Sequence, residues 1–437
     1  MAQGMDRMQT TNLKGNHTGA TSSGESLQPP STRGSDRAVD VRSETSVRPV
    51  SPLPTTTQAW ILRRGAKGVR EPGSLELADY ELPEMTEYHV LAEPIFGAWE
   101  ANMTHCLDRK PIDVCRIRRE KSIVLGNAGV VRVLRTGARV TTCREGDLCL
   151  IVPIGDFDEY GHMTRVFGYD QPNMMGLLAK QAVYHEYNVT PLPQDTAHSL
   201  IRWAGFSVRY ATAWENWKLS YNVWRAQFDL DDHPLPHVSG WGGGVTLGMA
   251  QLAQHIGCDV SIVASNDYRL KLLQGLGLKT IDRREFPDLH FDEERFETDR
   301  EYRSRYLRSE KKYLEEIERV TGGRGVSIFV DNIGGPVFRA SLRALSRLGI
   351  ITTSGWKNGK KLQYDRTSAT VNRHAFLHVH GCRRSEGLKA VQFAEKHEWL
   401  PPDDCEVYEW EDVPQLAADY ASGKILSYTP VYQVNDY

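Results

Sequence analysis

The stretch PHVSGWGGGVTLGMAQLAQHIGCDVSIVASN, residues 236–266, decides how this chain is read. An apolar run ends at PHVSG. Gly240, Gly242, Gly243 and Gly244 follow, and Val245 to His255 has the apolar spacing of a helix. A second apolar run, Asp259–Ala264, comes next. Glycine lets a backbone approach a ligand closely, and a helix start offers unpaired N–H groups with a partial positive charge. Strand, glycine loop, helix and second strand at this spacing form a site for a dinucleotide pyrophosphate. The competing reading is a glycine turn that merely lets helix and strand pack.

The end of the second strand selects the nucleotide. Sites for NAD place an acid there for the ribose hydroxyls. Here the run ends Val263-Ala264-Ser265-Asn266, so NADP(H) is expected. Ser265 is expected to hydrogen-bond the 2′-phosphate, with Arg269 or Arg209 supplying charge. Asp267 would oppose this reading if it turned inward.

Outward from this stretch, two textures divide the chain. PHVSGW, DVSIVAS, GVSIFVDNIGG and LGIITTSG are short apolar runs separated by helix-patterned segments, which predicts a doubly wound parallel sheet. Upstream, HVLAEPIFGAW (89–99), SIVLGNAGVVRVLRTG (122–137), DLCLIVPIG (147–155) and AVYHEYNVTPLP (182–193) are β-like runs cut by Gly and Pro. Between the two, Asp195 is expected to cap one helix, and Ala204 to Trp214 to form a second. Residues 1–55 are rich in Ser, Thr, Gly, Pro and Arg and poor in aliphatics, and are expected to be a disordered tail. The charged stretch 285–320 is expected to be a solvated helical arm. A sharper reading makes it a subunit contact through Phe291, Phe296, Tyr302, Tyr306 and Tyr313.

The net charge of −3 argues against a general nucleic-acid-binding surface. No apolar stretch approaches the roughly 20 residues that span a bilayer, so no membrane partner is expected. The cysteines are odd in number and scattered without a CxxC pair, which points to a reduced, cytoplasmic setting.

These motifs, in this order, resemble the medium-chain dehydrogenase/reductase superfamily. The resemblance rests on residues 240–265, on TGGRGVSIFVDNIGG (321–335), on LGIITTSG (348–355), on REGDLCLIV (144–152) and on TAW (212–214). It implies an α/β chain: a GroES-like β-rich catalytic domain, residues 56–205 and 365–437, plus a Rossmann doubly wound parallel-sheet domain over 206–364. It also implies that Gly240, Gly242, Gly243, Gly244 and Val245 line the cofactor phosphates. Ser265 and Arg269 would lie at the adenosine ribose. Asn332, Gly334 and Ser354 would lie near the nicotinamide, and Thr212 along the cleft. The family usually has Gly where this chain has Thr246. A homodimer or homotetramer is expected.

The zinc-dependent members use a Cys where this chain has Trp99, in GAWEAN (97–102), and a His that LGNAG (125–129) lacks. The resemblance therefore implies no zinc; His105, Cys106 and Glu100 are an imperfect alternative ligand set. GNAGVVRV (126–133) looks like the enoyl reductases, and VNRHAFLHVHG (371–381) like crotonyl-CoA carboxylase/reductases. The implied activity is NADPH-dependent reduction of an activated double bond, in an enone or in a CoA or carrier thioester. Reductive carboxylation and cofactor binding without turnover are the alternatives. Such chemistry needs a stabilised enolate oxygen and a proton source. Asn102 and Asn127 are candidates for the first, and Glu100 and His380 for the second. His374 and His378 compete with His380, and Tyr160 and His162 are candidates to cover substrate.

Overall fold

The structure of the protein is a computed structural model that describes residues 53–66, 71–229, 235–355, 357–358 and 361–437. All but the end of the expected disordered tail lies outside the described residues.

The first half is β-rich. Strands β1 (Thr56–Arg63), β2 (Leu75–Glu81) and β3 (His89–Ala98) precede helices α1 (Ala101–Asp108) and α2 (Val114–Arg118). Strands β4 (Ser122–Val124), β5 (Gly129–Thr136), β6 (Leu148–Ile151), β7 (Ala182–His185) and β8 (Val189–Pro191) follow. β2-β1-β4 form a small antiparallel sheet. The run 122–137 is therefore two strands in two sheets, broken where Gly126 takes φ +109°.

Helix α3 (Leu200–Arg225) is continuous, not the two helices expected. Ser199, not Asp195, is its cap, accepting the Arg202 N–H at 3.3 Å. No Gly or Pro breaker stops it after residue 214, and buried Asn216, Trp217, Ser220 and Trp224 extend its packed face.

Next come β9 (His237–Trp241), α4 (Gly244–His255), β10 (Asp259–Ala264), α5 (Asp267–Gly275) and β11 (Lys279–Asp282). Helices α6 (Glu293–Thr298) and α7 (Arg300–Thr321) lead to β12 (Val326–Val330), α8 (Gly335–Ala344) and β13 (Leu345–Thr353). Then follow α9 (Arg366–Asn372), β14 (Ala375–His378) and α10 (Arg384–His397). The sheet order is β11-β10-β9-β12-β13-β14, parallel throughout. Its strand order reverses beside β9, where a doubly wound sheet opens its ligand crevice.

The boundary expected at residue 365 cuts this sheet. β14 pairs with β13 from Ile350↔Ala375 to Thr353↔His378, so it belongs to the parallel sheet and not to the β-rich part. The chain rejoins the β-rich sheet only at β15 (Val407–Tyr408), which α11 (Val413–Ala421) separates from β16 (Val431–Gln433). The order there is β15-β16-β3-β5-β6-β8, with β7 also on β3.

The charged stretch is not a free arm: of the five aromatics expected at a subunit contact, Tyr302, Tyr306 and Tyr313 are buried within the protein's own core, and Phe291 and Phe296 are half-buried. Tyr302, Tyr306, Tyr313, Ile317 and Val320 form one buried stripe of α7. Tyr313 stacks on Trp241 of β9 at 5.4 Å between centroids, and Tyr306 packs edge-on to Phe291 and Phe296. The charges occupy the outer face of a helix that covers the sheet. Among the described residues, no helix is long and apolar enough to cross a membrane.

Candidate active site

One wall of the site is the glycine loop between β9 and α4. A Cβ on Gly240 would stand 2.7 Å from the Val330 carbonyl oxygen, and one on Gly244 would stand 2.3 Å from Arg209 Cδ. Both are closer than real Cβ contacts: at Gly240 the obstacle is backbone, so glycine is required, whereas at Gly244 the Arg209 side chain would have to shift. A Cβ on Gly243 would meet nothing within 4 Å, so the loop is open on that side. The N–H groups of the first turn of α4, Gly244 and Val245 among them, have no intrahelical partner and form an anion seat. Gly242 is tied back through its N–H to the Val263 oxygen, 2.9 Å away.

Thr246 is accommodated but not satisfied. It is buried, its hydroxyl has no hydrogen-bond partner, and its methyl faces Gly240. The close helix contact moves to Gly248, whose Cβ would meet Ala213 of α3 at 2.9 Å.

At the tip of β10, Ser265 is exposed and Asn266 caps α5 by accepting the Arg269 N–H at 2.8 Å. Asp267 is engaged by Arg284 at 2.6 Å, which holds its carboxyl below the usual range. Arg269 is no free surface charge. It donates to the Leu426 and Ser427 carbonyls at 2.9 and 3.1 Å, and its guanidinium lies 4.8 Å from the Tyr428 ring centroid.

Beyond β12 and β13, the Asn332 carboxamide oxygen accepts the Ser354 N–H at 2.8 Å and its hydroxyl at 3.2 Å. Two of the expected cofactor residues are thus joined. Gly334 caps α8 with φ +92°, a glycine conformation. Asp331, which the sequence did not mark, holds this turn by accepting the N–H groups of Ile333 and Gly334, each at 2.9 Å. Thr212 is buried on α3, one turn beyond Arg209.

The facing wall is the corner where β3 ends. Ala98 donates to the Ala128 carbonyl at 2.9 Å, and Tyr432 pairs with Gly97, so Trp99, Glu100, Asn127 and Tyr432 gather there. Gly97 and Gly126 leave room for the Tyr432 side chain: a Cβ on Gly97 would lie within 3 Å of its ring, and one on Gly126 within 3 Å of its hydroxyl. Asn102 stands in the first turn of α1. The corner holds an unusual density of unsatisfied buried atoms: both amide atoms of Asn127, Oδ1 of Asn102, Oε1 of Glu100 and the Tyr432 hydroxyl. Burial pushes the Glu100 carboxyl up to about 7, against the opposing pull of Arg209. Burial also raises the Tyr432 hydroxyl, and the charge of Glu100 adds to that.

His380 shares a cavity with Gly334 and Ser354, and the corner residues do not line it. With Phe338, Ile351, Ser354, Leu377 and His378 it lines a largely apolar cavity of ≈ 540 Å³ at the ends of β12, β13 and β14. Burial lowers its pKa, with Asp170 opposing, so its imidazole is neutral at pH 7. His374 does not share this position; its Nε2 meets the Ser346 carbonyl at 3.2 Å. His162 lines an adjoining cavity of ≈ 440 Å³ with His380, whereas Tyr160 is 72% exposed.

The residues do not fit a catalytic zinc. Trp99 is fully buried and its indole N–H donates to Thr104 at 3.0 Å. Glu100 is paired with Arg209, Cys106 is buried in the β-rich core beside Cys115, and His105 is pushed down by burial with Lys357 adding. Among the described residues, no three His, Cys, Asp or Glu side chains gather at metal-binding range.

Residues 244–396 match the family model described as zinc-binding dehydrogenase. In shape, 88% of the chain covers 96% of the crotonyl-CoA carboxylase/reductase AntE in complex with NADP, with a TM-score of 0.71 and 21% identity. The 2-octenoyl-CoA carboxylase reductase CinF from Streptomyces sp., in complex with NADP and 2-octenoyl-CoA, matches over 87% of this chain and 88% of its own, TM-score 0.71, 20% identity. An NAD-dependent alcohol dehydrogenase matches over 86% of this chain and all of its own, TM-score 0.66, 20% identity. At these identities the likeness is one of fold.

Proposed function

We propose that this protein belongs to the medium-chain dehydrogenase/reductase superfamily and is an NADPH-dependent reductase of a carbon–carbon double bond conjugated to a carbonyl, in an enoyl thioester or an enone. The observation that carries this reading is Asn127, 1% exposed with neither amide atom hydrogen-bonded. A buried polar group left unpaired costs about 1–3 kcal/mol. Such a group is tolerated where a ligand satisfies it. Ser265 in place of an acid at the tip of β10 supports NADP(H), and AntE and CinF carry that cofactor in the same fold.

The bound dinucleotide would supply the hydride, seated along Gly240, Gly242, Gly243, Gly244 and Val245 with Asn332, Gly334 and Ser354 at its far end. The chain supplies the polar half of the reaction. Hydride addition at the β-carbon places negative charge on the carbonyl oxygen. The Asn127 amide, with two unused N–H groups, donates to that oxygen, and Asn102 holds the substrate beside it. Glu100 supplies the proton for the α-carbon: with its pKa near 7, both protonation states are populated at neutrality. The apolar cavity that His380 lines would take the acyl chain or ring.

CinF's complex with 2-octenoyl-CoA favours a CoA thioester among the substrates, and the carboxylase names of AntE and CinF favour a second reading, reductive carboxylation. The first test follows cofactor fluorescence while the protein is titrated with NADPH and with NADH. Tighter binding of NADPH is the expected result, and equal affinity would reject the nucleotide assignment. A screen of enones and enoyl-CoA thioesters follows, with product mass read with and without bicarbonate. A product heavier by one carboxyl group only with bicarbonate would establish the second reading.

A further inference from the structure

Arg209 and Glu100 join the two walls of the site. Arg209 rises from α3, and its stem lies directly over Gly244, where a Cβ would stand 2.3 Å from Arg209 Cδ. One end of its guanidinium donates to the Trp99 carbonyl at 2.6 Å. The other, Nη1, stands 2.9 Å from Glu100 Oε1. That approach brings the charges together without the angle of a hydrogen bond, so both atoms remain without one although both residues are at least nine-tenths buried. The other titratable groups facing the pair are Tyr420 of α11, which is hydrogen-bonded to Arg209, Tyr432 of β16, Tyr210 of α3 and Cys405. Burial raises the pKa of each, so all four are neutral and none replaces the Arg209 charge.

A buried ion pair repays its desolvation only with good geometry and further hydrogen bonds. Here the geometry is poor: Arg209 is hydrogen-bonded to the Trp99 carbonyl, but its Nη1 and the facing Glu100 Oε1 have no hydrogen bond, and the cation lies at the open N-terminus of α4. A phosphate arriving there offers several acceptor oxygens for the guanidinium fork and places its charge at the favourable end of the helix.

We propose that Arg209 changes partner when the dinucleotide binds, leaving Glu100 for a cofactor phosphate, and that Glu100 then takes up one proton from solvent. The exchange rests on the glycine loop holding a dinucleotide, as proposed above. The Glu100 carboxylate gains a proton to become a carboxylic acid, and no other bond forms or breaks. Arg209 is a positioning residue for this proton, and cofactor binding loads Glu100 for one protonation of substrate.

The sign of the pH dependence follows. Arg209 now opposes the upward shift of Glu100, so its departure moves that pKa further above about 7. Proton uptake is therefore small well below pH 7 and large above it. The affinity for NADPH falls as pH rises past 7, by up to about tenfold per pH unit.

The test is calorimetric titration of NADPH into the full chain at pH 8, in two buffers of different ionisation enthalpy, with Glu100→Gln in parallel. Protonation of the cofactor's own phosphate contributes equally in both proteins, so their difference reports Glu100. The wild type is expected to take up roughly half a proton or more per dinucleotide in excess of Glu100→Gln. Glu100→Gln is expected to bind NADPH about tenfold tighter at pH 8 with a flattened pH profile, because Arg209 is already released. Arg209→Gln is expected to bind at least about tenfold more weakly and to lose the excess uptake. Equal proton uptake in wild type and Glu100→Gln, with binding intact in both, overturns the exchange and leaves the proposed reaction standing. Failure of the wild type to bind either dinucleotide overturns both.

Discussion

The glycine loop and the corner at the end of β3 are linked through Arg209, yet they are built from opposite materials. The loop works by the absence of side chains: Gly240 is packed against backbone too tightly for a Cβ, Gly244 lies under the Arg209 stem, and the groups offered to a ligand are backbone N–H. The corner works by side chains whose polar atoms have nothing to bond, at Glu100, Asn102, Asn127 and Tyr432. A backbone site is stable without its ligand because its N–H groups face open space. A buried side-chain site is destabilised until the ligand arrives. Changes to the corner should therefore damage turnover while sparing stability, and changes to the loop should do the reverse or weaken cofactor binding.

The sharpest test of this contrast is Asn127→Ala. Loss of an oxyanion donor is expected to lower kcat by about 10²–10³, while the urea midpoint stays constant or rises. A large fall in stability would show that the amide is structural. Next is a pair within the loop. Gly240→Ala is expected to destabilise by about 1–3 kcal/mol, because Val330 and Thr246 must move. Gly243→Ala, with open space around it, should leave unfolding unchanged. Arg269→Ala is expected to raise the Kd for NADPH about tenfold while leaving NADH unaffected, and equal losses for both would remove Arg269 from the 2′-phosphate site. The smallest effect is at Thr246→Val, which replaces an unsatisfied hydroxyl by a methyl of similar size. It should stabilise the fold by about 1 kcal/mol.

The same contrast explains what the sequence revealed. The second strand, read as Asp259–Ala264, has those bounds in the structure, and helix α4 begins one residue before the expected Val245. Local rules suffice there, because a glycine cluster between two apolar runs carries its own geometry. The corner needed distant partners. Arg209 meets Glu100 only because α3 crosses behind β3, and Tyr432 arrives from the C-terminal strand; neither pairing leaves a local pattern. Two misreadings have nearer causes. The α7 stripe of Tyr302, Tyr306, Tyr313, Ile317 and Val320 is helically spaced, but most of it is tyrosine set among many charges, which disguised a sheet-covering face as a solvated arm. β14 was assigned to the β-rich part because four residues, Ala375–His378, are too few to show whether their partner strand is parallel.

The central claim is hydride delivery to an activated alkene by the bound dinucleotide, and it is tested most directly with NADPH deuterated at the transferable position. The protein is incubated with this cofactor and a panel of enones and 2-enoyl-CoA thioesters, and the products are read by mass and by NMR. The account requires a saturated product carrying one deuterium at the β-carbon, with NADPH consumed in equal amount. Tight NADPH binding with no deuterium in any product, across the whole panel, would contradict it and leave a dinucleotide-binding protein that does not perform this reaction.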